Sequence, residues 1–172
     1  AHRSAHLLHS QAGGERGGVG YNGSVIMGFD PVRQGGQPWV LVSGFGPFPG
    51  VEVNPTAQLI ARLGEEPFLL DQGWVVRGVV FDTVWEGLAD RLAATHGAVP
   101  PAWSLHLGVH GRAEAVHVER TAHNVLAFGR PDAAGAVWHD TPVDPTGPAL
   151  WQTAFDAADV VARLLAAGLP AE

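Results

Sequence analysis

Cysteine is absent from all 172 residues, so disulfides and thiolate metal sites are excluded and nothing marks an oxidising compartment. Positive charge is sparse as well. Ten Lys and Arg stand against 17 Asp and Glu, the net charge is −7, and no basic cluster occurs. That balance argues against a nucleic-acid face or an anionic membrane surface. No apolar run approaches the roughly 18 residues of a membrane span. A soluble, cytoplasmic protein is the default expectation.

What the chain does contain is a globular composition, 46% hydrophobic and 16% charged, and enough residues for one domain with its own core. Residues 1–37 differ from the rest. Their glycine pairs and lack of periodicity predict a flexible Gly-rich extension, with His2, His6 and His9 on a solvated tail rather than in a metal site. From residue 38 to 172 strands and helices alternate. Strands are expected at Trp39 to Ser43, Trp74 to Phe81, Trp103 to Val109 and Ala115 to Glu119, with helices at Pro55 to Leu63, from near Thr83, and from Thr153 or Ala154 to Ala167. In the last helix Phe155, Ala158, Ala162 and Leu165 supply the expected buried stripe. The breakers between Asn124 and Pro148 predict a long loop. The pattern implies an α/β fold, a three-layer αβα arrangement around a twisted, mostly parallel (mixed) sheet. It reads as truncated after a helix, since no further strand follows.

The stretch Trp39-Val-Leu-Val-Ser-Gly-Phe-Gly-Pro-Phe-Pro-Gly50 organises this domain. Glycines end the strand, prolines stiffen the turn, and Phe45 and Phe48 arrive together at the strand's carboxyl end, where open α/β sheets place ligands. Asn54 and Pro55 then suit an N-cap and a first helical position. The glycine spacing misses the dinucleotide fingerprint, and two prolines stand where phosphate-binding N–H groups would be needed. Two rigidly held phenyl rings suit either a wall for a small, flat, neutral group or a plain core.

A second stretch, His106 to Asn124, gathers four histidines and two carboxylates. His106 and His110 fall on a strand and a Gly turn, so the one-face geometry of a helical zinc pair is missing, and hydrogen-bonded histidines are the simpler reading. Glu119 ends an apolar strand and precedes Arg120. It is either half of an ion pair or a carboxylate that orients a catalytic histidine.

Gly44-Phe-Gly-Pro-Phe48 with Val53-Asn-Pro55 resembles the amino-terminal signature of pyroglutamyl peptidase I, the pyrrolidone-carboxylate peptidase family. Gly108-x-x-Gly-Arg112 with Val118-Glu-Arg-x-Ala-x-Asn124 is similar to that family's glutamate signature, and the likeness continues through Arg130-Pro-Asp132, Pro142-Val143 and Gly147-Pro148. It covers residues 39 to 172. The resemblance implies a cysteine exopeptidase that removes N-terminal pyroglutamyl residues from peptides, needs no metal or cofactor, and is usually a homo-oligomer in the cytoplasm. By motif position Glu119 matches the catalytic glutamate. Phe45, Phe48 and Thr83 match the walls of the lactam pocket, Val109 stands where bacterial relatives carry glutamine, and Arg130 aligns with a family arginine.

The departures are large. The family's nucleophilic Cys and catalytic His belong to segments that find no match here, and His117 replaces a Ser or Thr two residues before the glutamate. The chain as written is therefore expected not to cleave peptides. Three readings follow: the amino-terminal part of a pyroglutamyl peptidase, a noncatalytic relative that binds pyroglutamate or a partner chain, and an unrelated metal or nucleotide protein.

Overall fold

Leu41, Val42 and Ser43 are buried on alternate faces of one strand, and that strand lies inside the sheet. The computed structural model describes residues 4–6, 38–63 and 74–172. The sheet has the order β1-β4-β2-β3, formed by β1 (Ser4–His6), β2 (Trp39–Phe45), β3 (Val75–Phe81) and β4 (Trp103–Gly108). Strands β3 and β4 run parallel to β2, and β1 runs antiparallel to β4. The sheet is thus mixed and mainly parallel, as the alternation of elements predicts. Ser4–His6 come from the stretch read as an extension; its other residues, His2 and His9 among them, lie outside the described ones.

Helix α1 (Pro55–Leu63) has the predicted bounds. Asn54 caps it, its side-chain oxygen accepting the Thr56 N–H at 3.1 Å. Its Ile60 packs with Val42 and Leu107, flanked by Leu59, Leu63 and Val76. The helix sits close because the sheet offers glycines beneath it. A Cβ on Gly78 would lie 2.5 Å from Ile60 Cγ2, and one on Gly44 would lie 2.7 Å from Thr56 Oγ1.

Helix α2 (Leu88–His96) begins later than expected, because residues before it form a turn and Gly87 takes φ 66°. None of its residues is fully buried, since its apolar side faces a cavity rather than the sheet directly. The strand expected over Ala115 to Glu119 is not a full strand. Val116 and Val118 instead form a short parallel ladder with the last residues, where Val116 N–H donates to Pro170 O and Glu172 N–H to Val116 O. The expected long loop contains structure too: β6 (Leu126–Phe128) pairs with β7 (Trp138–Thr141) inside it, while β5 (Thr121–His123) and β8 (Leu150–Gln152) pair with each other on its two flanks, both pairs antiparallel. Helix α3 (Ala157–Ala166) starts after Asp156, whose carboxylate accepts the Asp159 N–H. That start shifts the buried face. Ala157, Val160, Val161 and Leu164 pack with Phe155, Val118 and Trp103, while Ala158, Ala162 and Leu165 are exposed. Among the described residues no helix is long and apolar enough to cross a membrane.

Candidate active site

The loop after β2 is built to hold its backbone still. Gly46 N–H donates to Phe81 O at 2.8 Å, and Gly46 O accepts from both Asn54 Nδ2 at 3.0 Å and Thr83 Oγ1 at 3.1 Å. Thr56 Oγ1 accepts the Phe45 N–H at 2.9 Å. Next along, Phe48 and Val51 exchange backbone hydrogen bonds around Gly50, whose φ of 86° favours glycine. The strand end, the helix cap and the chain after β3 are therefore tied to one carbonyl. Phe45 packs its ring 6.5 Å from that of Phe81, its register partner on β3.

These groups line a cavity of about 580 Å³ between the sheet and α2. All six residues singled out in the sequence contribute to its wall: Phe45, Phe48, Thr83, Val109, Glu119 and Arg130. Glu119 is half-buried and Arg130 exposed. Glu119 is positioned from both sides. Before it, Val118 is buried against Phe155 and its N–H donates to Glu172 O; after it, Arg120 O accepts the Thr153 N–H and Thr121–His123 pair with β8.

Asp132 has a positioning role that the sequence reading did not assign. Its carboxylate is buried and accepts the backbone N–H groups of Ala134 and Ala136, each at 2.9 Å, and of Trp85 at 3.2 Å. Ala133 N–H donates to Thr83 O at 2.8 Å. The loop that carries Arg130 is thereby stapled to the segment that carries Thr83. Loss of water around Asp132 opposes its ionisation, yet the donors from Trp85, Ala136 and Ala134 prevail and hold its carboxyl below the usual aspartate value. The signal was present in Pro131-Asp-Ala-Ala-Gly135, an Asp followed by a glycine at a tight turn, where Gly135 adopts φ 85°.

The histidines do not assemble a metal centre among the described residues. His106 Nδ1 lies 2.6 Å from Ser43 Oγ on the neighbouring strand, both buried, in line with the hydrogen-bonded reading. His117 pairs with Glu172 at 2.9 Å and packs its ring 5.4 Å from that of His110.

Comparison with known proteins matches residues 39–172 to the model of one family, described as pyroglutamyl peptidase. The chain belongs to the pyroglutamyl peptidase family. It is 34% identical over 133 residues to the pyrrolidone-carboxylate peptidase of Gloeobacter violaceus, covering 77% of this chain and 63% of that one. It is 36% identical over 132 residues to the Streptomyces coelicolor pyrrolidone-carboxylate peptidase, covering 77% and 60%. The crystal structure of pyrrolidone carboxyl peptidase from Thermus thermophilus superimposes with a TM-score of 0.67 at 36% identity, over 77% of this chain and 66% of that one. The chain thus spans 60–63% of the length of these two curated family members.

Proposed function

We propose that residues 39–172 form the pyroglutamyl-recognition part of a pyroglutamyl peptidase, and that this chain holds an N-terminal pyroglutamyl residue without cleaving it. The observation that carries the reading is the convergence of Phe45, Phe48, Thr83, Val109, Arg130 and Glu119 on one cavity. A pyroglutamyl ring is flat and neutral, with an apolar edge and one amide. Phe45 and Phe48 supply apolar walls on a turn already ordered by the Gly46 hydrogen bonds, so little entropy is lost on binding. The Thr83 hydroxyl donates to Gly46 O, and its remaining lone pairs are available to the lactam N–H.

In a cysteine peptidase a carboxylate placed like Glu119 orients an imidazole and favours its charged form beside the thiolate. These 172 residues contain no cysteine, so the chain itself has no thiolate to acylate. Binding without turnover is the consequence.

The test is calorimetric titration with pyroglutamyl-glycinamide alongside an assay of its hydrolysis. Saturable binding is expected, weakened about tenfold or more by Phe45→Ala or Phe48→Ala, the scale of one buried apolar side chain, with no hydrolysis. Absence of binding, or hydrolysis by the purified chain, refutes the proposal.

A further inference from the structure

Pockets of roughly 300–1,000 Å³ enclose whole drug-sized ligands. The cavity here, about 580 Å³, is much larger than a pyroglutamyl group needs. Besides the six residues already named, its wall includes Trp85, Val125, Val143 and Trp151. Val125 is 39% exposed and Val143 54% exposed, so neither is held there by core packing. Both are nevertheless fixed in place. Their sequence neighbours Asn124 and Asp144 clasp each other: Asn124 Nδ2 donates to Asp144 O at 2.7 Å, and Asp144 N–H donates to Asn124 Oδ1 at 2.8 Å. Asp144 Oδ1 also accepts from the Thr146 N–H and hydroxyl, which stiffens the turn beyond.

Two water-exposed apolar side chains, pinned by a hydrogen-bonded clasp at the rim of a binding cavity, are suited to an apolar group that arrives with the ligand. We infer that Val125 and Val143 form the contact for the second residue of the bound peptide, and that this contact selects a bulky apolar side chain there. The inference rests on the pyroglutamyl reading of the site, because it is the lactam between the phenylalanines that fixes where the next residue falls. Continuity decides the occupant. Thr121, Ala122, Val125 and Val143 line the same cavity as Phe45, Phe48 and Glu119, so a peptide chain that leaves the lactam site stays within that cavity.

Titrations with pyroglutamyl-leucinamide and pyroglutamyl-glycinamide separate the two readings. The leucine amide is expected to bind about tenfold or more tightly than the glycine amide, the gain typical of an added apolar side chain in a fitted site. In the Val125→Asn/Val143→Asn double variant that ratio falls toward one. Because both valines are largely solvated, the variant is expected to keep the parent's circular dichroism and Tm, and a variant that unfolds is replaced by V143N alone. Equal affinities of the two amides for the parent chain, or an unchanged ratio in the variant, overturn this inference while leaving the lactam pocket standing. Failure of both amides to bind overturns the pyroglutamyl reading and this inference with it. Sedimentation showing a dimer that the double variant abolishes would assign the valines to a second copy of the chain, and would equally overturn it.

Discussion

At the scale of single residues, the site depends on side chains that hold backbone as well as on those that would touch a ligand. Thr83 ties the chain after β3 to Gly46 by one hydroxyl donor. Thr83→Val keeps the shape and removes the donor, and is expected to lower unfolding stability by about 0.5–1.5 kcal/mol in urea titration. Asp132 gives a pH signature. Its folded carboxyl lies below the ordinary 3.8, so it stabilises the fold fully above that value and loses the effect as pH falls through the lower folded value. Thermal melts of the parent from neutral pH down to about pH 2 should therefore show Tm dropping below the ordinary aspartate range. Asp132→Asn should melt lower at neutral pH with a flatter acid limb. Part of the slope will remain, because the Thr146 hydroxyl and N–H depress Asp144 in the same sense. The sequence exposed Phe45, Phe48 and Glu119 through motif and position. It showed Asp132 in a turn motif but not its burial, because a buried carboxylate satisfied by backbone donors looks, in one dimension, like any polar residue in a turn.

At the scale of elements, the bounds of α1 were legible because Asn54 and Pro55 start it and the apolar spacing sustains it. The starts of α2 and α3 were not. In α3 the capping group is Asp156, so the buried face falls on Ala157, Val160, Val161 and Leu164, one position away from the stripe read from Phe155 onward. Asp156→Ala should cost about 1 kcal/mol in denaturant titration, the usual worth of an N-cap. The short antiparallel pairs within 121–152 are not legible in the sequence because strands of three or four residues carry almost no periodicity, and prolines and glycines around them mimic an open loop. The contact of α1 with the sheet is the tightest, and a methyl group there tests it. Gly44→Ala would bring Cβ within 2.9 Å of Thr56 and Ile60, an overpacking expected to cost about 1–3 kcal/mol, with Thr56 displaced from Phe45 and the loop loosened.

For the whole molecule, the parallel order β4-β2-β3 places the carboxyl ends of the strands at one edge, and the loops that leave that edge surround the cavity. Alternation of strands and helices was enough to foresee this architecture. The cavity's size was not foreseeable, since it depends on how far α2 stands from the sheet. The proposed function puts a lactam ring between Phe45 and Phe48 on a preformed turn, which nuclear Overhauser contacts in the complex with pyroglutamyl-glycinamide can check. Cross-peaks from the lactam methylene protons to the rings of Phe45 and Phe48 are the predicted result, and a bound ligand whose contacts lie on other residues, with none to either ring, would contradict it.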